Sequence, residues 1–357
     1  MVNRLGTRLI QSMAAAVLML ASTVALAADP PPASAAPIDP PARTPTEDDG
    51  VVDALEALVW NIPATPVARQ SGSAVQQTQE APDTPIQYPW RAPLDAAIDQ
   101  LISGVNPAVA DAVTPIFHFF PASGDNTYTW LNVPLSQSLD GETKIVARMR
   151  PKEGAGDTAF SLGTDAIPFS VRQGSNGVVA QAARTLPPGA YLLAVGTTDK
   201  DGKLTLRYAG EQRIARMPQG TLKLSSVILA DSLTQKADAQ QGPFQASGFE
   251  VVPRGTTVFK GGDTLRVFFV VLGAGAGSDG KANLDVSYQL YARRNNAPWS
   301  KAPKPYLLTG RIGAAQAWEL PLPVSFAGAD LKLEIQVKDN ISGGQITAPD
   351  LLISVAR

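Results

Sequence analysis

Residues 272–283, LGAGAGSDGKAN, hold the spacing most suggestive of chemistry in this chain. Gly275, Gly277 and Gly280 spell G-x-G-x-x-G, and Gly275, Gly280 and Lys281 spell G-x-x-x-x-G-K. A phosphate loop works because glycines let backbone N–H groups approach the phosphates and a following helix points its positive end at them. The segment that follows, NLDVSYQLY, alternates with a period of two and so predicts a strand, with no helix dipole to offer. Ala282 stands where a hydroxyl would hold magnesium. The expectation is a flexible hairpin loop between two antiparallel strands, tolerant of shortening at 274–279, and no bound nucleotide.

A second candidate is YARRNNAPWSKAPKPYLLTGR, residues 291–311. Arg293, Arg294, Lys301, Lys304 and Arg311 lie there without an acid, with Trp299 and Tyr306 between them. Cations beside aromatic rings suit an anionic polymer, a glycan or a protein surface. The plainer alternative is a solvated loop whose lysines and prolines discourage pairing at a sheet edge. The binding candidates are therefore Arg293, Arg294, Trp299, Lys301, Lys304 and Tyr306.

Other chemistry finds little support. The single histidine, His118, sits in PIFHFF between phenylalanines, and no G-x-S-x-G accompanies it, which predicts a structural residue. Asp199 and Asp201 in DKDG fit the turn of a hairpin; no later acid completes a calcium loop. No catalytic residue, cofactor or metal is assigned. A glycosidase pair of distant carboxylates has no local signature, so a carbohydrate-active enzyme stays as an alternative.

The elements that must carry these residues are strands. In ADLKLEIQVKD, Leu331, Leu333, Ile335 and Val337 alternate with Lys332, Glu334, Gln336 and Lys338, the mark of one buried and one wet face. TYTWLNVPL, TKIVARM, AYLLAVGT, KLTLRYAG, LKLSSVILA and DTLRVFFVVL are further short runs separated by turn residues. Such spacing predicts an all-β protein of two tandem immunoglobulin-like β-sandwich domains, about 116–218 and 219–357. GAYLLAVGTTDKDGK (189–203) and GADLKLEIQVKDNISGG (328–344) share one plan: Gly-Ala, an alternating strand, then an Asp-led turn ending in Gly.

The strings TLPPGAYLLAV, LKLSSVILA, GFEVVPRGTTVFKGGDTLRVFFVVLG and ANLDVSYQLY resemble the C-terminal β-domain region of exported bacterial proteins related to von Willebrand factor A. The resemblance spans roughly residues 116–357 and implies a β-sandwich fold. The A domain itself is absent: its metal motif is Asp-x-Ser-x-Ser, and DVSYQ (285–289) lacks the second serine.

Upstream, the chain changes character. Arg4 and Arg8, an apolar run and Ala25-Leu26-Ala27 form the three parts of a secretory signal peptide, residues 1–27. Residues 28–115 hold 15 of the 30 prolines and 12 acids against 3 bases, whereas the chain from 116 has 25 bases and 20 acids. The tract reads as a Pro/Ala-rich acidic linker, a candidate to screen the basic loop. It holds two short amphipathic helices, one around 51–60 and one around 93–104, each too short to stand alone. There is no cysteine, so neither disulfides nor thiolate chemistry contribute. Together these features predict an exported, non-enzymatic β-sandwich that binds a protein or a cell-envelope component, without nucleic acid or a transmembrane segment. A carbohydrate-binding module is the alternative.

Overall fold

The computed structural model describes residues 88–357, except 137–138, 140–141, 153–158, 164–166, 176, 218–219 and 237–240. The expected signal peptide and the expected helix near 51–60 lie outside the described residues.

Among the described residues, helix α1 (Arg91–Ile102) precedes eight strands: β1 (Ile116–Pro121), β2 (Thr127–Leu135), β3 (Lys144–Pro151), β4 (Phe160–Leu162), β5 (Ser170–Gly174), β6 (Gly177–Leu186), β7 (Gly189–Thr198) and β8 (Leu204–Ile214). They form two sheets, β4-β3-β7-β8 (sheet I) and β1-β2-β6-β5 (sheet II). These orders are C′-C-F-G and A-B-E-D in immunoglobulin lettering. The corner between the sixth and seventh strands supplies a second mark of that fold. The Tyr191 hydroxyl, near the start of β7, donates to the Pro187 carbonyl four residues upstream at 2.9 Å.

The second sandwich begins with β9 (Lys223–Leu224), β10 (Ile228–Gln235), β11 (Gln245–Ala246), β12 (Phe249–Pro253), β13 (Val258–Lys260) and β14 (Thr264–Leu272). It continues with β15 (Asn283–Arg293), β16 (Ser300–Lys301), β17 (Tyr306–Ile312), β18 (Ala315–Pro321), β19 (Asp330–Asp339), β20 (Gln345–Thr347) and β21 (Leu351–Ala356). Sheet III runs β11-β12-β10-β14-β18, with β9 also on β14. Sheet IV runs β13-β21-β19-β15-β16, with β17 on β15 and β20 on β19. The two repeated sequence strings are the seventh and nineteenth strands with the turns that follow them, the same position in each sandwich.

Side-chain parity shows how the sheets stack. Odd residues Leu131 and Val133 of β2 share one core with Ile145, Met149, Leu193 and Val195 of sheet I. Even residues Tyr128 and Trp130, with Phe120 of β1, share another with Ile228, Phe249, Val251, Phe268 and Val270 of sheet III. In β14, Leu265, Val267, Phe269 and Val271 point the other way, into the core shared with Leu331, Leu333, Ile335 and Val337 of sheet IV. The sheets therefore lie in the order I, II, III, IV with a core in each gap. β2 and β14 are buried on both faces because sheets cover them on both sides; β19 alternates because no described element covers one of its faces.

Helix α1 closes the outer side of sheet I. Leu94, Ala97 and Ile98 pack on Val146, Leu192 and Ala194, whose neighbours in sequence face sheet II. Arg148, on β3, donates to Asp95 at 2.8 Å, and Arg150 reaches Asp99 at 2.7 Å. A helix of three turns is marginal alone, and this docking supplies what it lacks. The packed body thus starts upstream of residue 116, where the strand periodicity begins.

Polar groups stitch sheets II and III together. The Phe119 N–H donates to Ser226 Oγ at 2.8 Å, and the Ser226 N–H returns to the Phe119 carbonyl at 3.0 Å. Gln181 donates to Asn132 at 2.6 Å and accepts the N–H of Phe244. In the turn after β5, Ser175 gives its N–H and hydroxyl to Asp231 at 3.0 and 2.5 Å. Arg254 holds that carboxylate from the other side at 2.9 Å, and also reaches Asp263 at 3.1 Å and the Val258 carbonyl at 2.9 Å.

His118 lies in β1 with the parity of Phe120, buried and opposite Trp130 in register. Burial lowers its pKa from 6.5 to about 4. The folded value is below the unfolded one, so protonation favours the unfolded chain. The stability held by neutral His118 is complete above about pH 6.5 and is lost as the pH falls from there through 4, by ~3 kcal/mol in all. Denaturant midpoints between pH 7 and pH 4 should fall for the natural chain and stay flatter for His118→Phe. Parallel pH profiles would remove His118 from the account.

Candidate functional site

Sheets II and III pack against a sheet on each side, and α1 covers part of the outer face of sheet I, leaving its Lys152–Glu211 end exposed. The outer face of sheet IV is the one that no described element covers. Its residues follow from the register of β15 against β19. Asp285, Ser287, Gln289, Tyr291 and Arg293 stand opposite Lys338, Gln336, Glu334, Lys332 and Asp330. Nine of them show on this side, since the residues between them fill the core; Gln289 has the same phase but is buried, its amide donating to the carbonyls of Leu290 and Ala302 at 3.1 and 3.0 Å.

Tyr291 is the centre of the upper part of this face. The Lys332 ammonium lies 4.2 Å from its ring centroid and that of Lys301 5.8 Å. The Tyr291 hydroxyl donates to Glu334 at 3.4 Å. One row above, the Arg293 guanidinium lies 4.5 Å from the Trp299 ring and donates to Asp330 at 3.2 Å. Lys332 is also paired with Asp350 at 3.3 Å. Leu307 and Leu352, more than half exposed, flank the face on β17 and β21.

The six residues singled out from the sequence therefore separate. Arg293, Trp299 and Lys301 come together on the open face. Arg294 turns away to the carbonyls of Ser325 and Ala327, capping the turn at Val324–Phe326. Tyr306 is on the core side of its strand, 6.4 Å from Tyr288 and 5.8 Å from Trp318, which stack on each other at 4.3 Å. Lys304 is exposed in the loop between β16 and β17. The sequence reading missed Tyr291, Lys332 and Glu334 as members of one site. Their signal was the outward phase of two alternating strands; their pairing needed the register.

The glycine loop is not a hairpin. β14 and β15 belong to different sheets, so residues 273–282 cross from sheet III to sheet IV. Period two on both sides fits a hairpin and a crossover equally. The loop is also anchored. Asp339, fully buried, accepts the Gly275 N–H at 2.7 Å, the Ile341 N–H at 2.9 Å and the Ser342 hydroxyl at 2.5 Å. Burial alone would raise the pKa of this carboxyl; the hydrogen bonds outweigh it and hold it below the usual value. Gly273 has φ +63°, and a Cβ there would lie 2.2 Å from the Thr221 carbonyl oxygen. Shortening 274–279 removes a donor from a buried carboxylate, so the expected tolerance is withdrawn.

DKDG is the turn of the β7–β8 hairpin, and Asp199 accepts the N–H groups of Asp201 and Lys203 at 3.0 and 2.9 Å. A cleft of ≈ 760 Å³ lies at the junction of the sandwiches, lined by Asp111, Thr143, Arg207, Asp231 and Thr256 among others. Its carboxylates are already engaged, Asp111 by Arg207 at 2.6 Å and Asp231 by Arg254 and Ser175. Among the described residues no helix is long and apolar enough to cross a membrane.

No family model matches the chain, and no curated protein matches it. Among solved structures it is similar to the Yersinia pseudotuberculosis adhesin InvE, at 12% identity over 68% of this chain and 60% of that one, TM-score 0.20. It is similar to latent PorU from Porphyromonas gingivalis at 12% identity, over 71% and 22%, TM-score 0.27. It is also similar to fibronectin(III)-like modules of Clostridium thermocellum CbhA at 12% identity, over 68% and 94%, TM-score 0.17. The chain thus spans 60% of the InvE chain and about a fifth of PorU. The immunoglobulin-like assignment rests on the strand orders and the Tyr191 corner.

Proposed function

We propose that the chain is an exported, non-enzymatic binding or scaffold module of two domains, about 116–218 and 219–357, which engages a protein or envelope component through the outer face of sheet IV. One observation carries this reading: among the described elements none covers this face, whereas the others are covered wholly or in part, and it displays Tyr291, Trp299 and Arg293. Tyrosine, tryptophan and arginine dominate the energetics of protein interfaces. The signal-peptide pattern and the resemblance of residues 116–357 to exported von Willebrand factor A-related proteins support export and a sandwich body.

Charge favours a protein over a polyanion. Arg293, Lys301, Lys332 and Lys338 are matched on the face by Asp285, Asp330, Glu334 and Asp350, so no excess field draws a polymer. The same pairing leaves little for the acidic tract to screen. A glycan would stack on a bare ring, and the rings of Tyr291 and Trp299 already have cations against them.

The test compares the natural chain with Tyr291→Ala and Trp299→Ala in affinity capture from envelope fractions. The expected result is a retained species that weakens at least tenfold with either variant at unchanged melting temperature, since each such anchor contributes about 2 kcal/mol or more. Capture indifferent to both substitutions, or hits for the natural chain on a glycan array, would reject the reading.

A further inference from the structure

We infer that the open face of sheet IV pairs with the same face of a second copy of this chain. This rests on the proposal that the face is the binding surface, and it commits that surface to one occupant. The register supplies the argument. A two-fold axis in the plane of the interface, parallel to the strands and between β15 and β19, lays each outward residue of β15 over its own register partner in the other copy. Asp285 then meets Lys338 of the second copy, Ser287 meets Gln336, Gln289 meets Glu334, Tyr291 meets Lys332, and Arg293 meets Asp330. Both end rows join an acid to a base, Tyr291 meets a cation, and Ser287 meets an amide it can hydrogen-bond; the Gln289 row contributes no such pair, its buried amide already donating to the Leu290 and Ala302 carbonyls. A face complementary across its own two central strands is complementary to its two-fold mate.

Size and precedent within the molecule agree. β15 and β19 have 11 and 10 residues, so the face is ~33 Å long at ~3.3 Å per residue, and four strands at ~4.8 Å make it ~20 Å wide. That gives ~650 Å² per copy and ~1,300 Å² in all, at the lower end of specific interfaces. Sheet-on-sheet packing already joins I to II, II to III and III to IV.

The decisive variant swaps a row: Asp285→Lys together with Lys338→Asp. The swapped chain is again complementary to itself, but against the natural chain it sets Asp on Asp and Lys on Lys. Sedimentation equilibrium should show dimers for the natural chain and for the swap, with roughly micromolar dissociation for an interface of this size and polarity. Mixed dimers of the two should form at least tenfold less readily. Lys338→Asp alone should weaken self-association by a similar factor. The chain has no cysteine, so Ser287→Cys and Gln336→Cys give a second measurement. A mixture of these two chains should crosslink through a short bis-maleimide more efficiently than either one alone. A natural chain monomeric at every concentration overturns the inference. If it is monomeric yet captures another protein in a Tyr291-dependent way, the binding reading stands and the second copy is excluded. Free mixing of natural and swapped chains overturns the register.

Discussion

Replacing Arg254 with methionine is expected to remove ~3–5 kcal/mol of stability, the cost of leaving a buried charge without its partner. The side chains of Arg254 and Asp231 are 5% and 8% exposed, and their 2.9 Å contact is the centre of a network. Arg254 also holds Asp263 and the Val258 carbonyl, and its guanidinium lies 3.9 Å from the Phe259 ring centroid. On its far side, Asp231 takes both donors of Ser175, from the other sandwich. Losing the cation therefore destabilises sheet III and loosens its joint with sheet II together. Adding Asp231→Asn to Arg254→Met should recover part of the loss, because the stranded charge is then gone. Urea titrations of the three chains measure this. A loss under about 1 kcal/mol for Arg254→Met would show that water reaches Asp231 and that the joint is looser than the contacts imply.

Trp130→Ala should cost ~3–5 kcal/mol, the range for emptying a fully buried aromatic site. Trp130 is 0% exposed, with its ring 4.7 Å from that of Phe120, in the core that joins the two sandwiches. The consequence beyond stability concerns cooperativity. With that core intact, the two sandwiches should melt in one calorimetric transition; with Trp130 removed, the transition should broaden or divide into two. Two well-separated transitions in the natural chain, unchanged by Trp130→Ala, would mean that the middle core contributes nothing to coupling.

Much of the fold was legible in local patterns. The strict alternation of β19 gave both a strand and its wet face, and the runs that became β2 and β14 were legible as strands, though not as strands covered on both sides. What covers them was not legible, because Trp130 and Phe268 meet across more than a hundred residues of chain. The glycine loop was misassigned for a related reason. The residue that distinguishes a crossover from a hairpin there is Asp339, which holds Gly275 from 64 residues away. In the basic segment the charges could be counted but not their engagements: Asp330 neutralises Arg293 from 37 positions downstream. Tyr306 looked like a partner of those cations, and only its phase in β17, matched to Tyr288 in register, turns it inward.

The stack also gives the chain a polarity. α1, where the described chain begins, lies against sheet I, and the open face lies at the opposite end, beyond three sheet-on-sheet cores. A tether attached upstream of α1 would hold the face of sheet IV outward. The most direct measurement places a photoreactive residue at Gln336, on the open face, and in a second chain at Gln100, on the exposed side of α1. Irradiated in the cells that make the protein, the first should yield a discrete adduct, with a second copy of the chain or with another protein, and the second should yield none. Adducts from Gln100 and none from Gln336 would contradict the claim that the open face of sheet IV is the surface this protein uses.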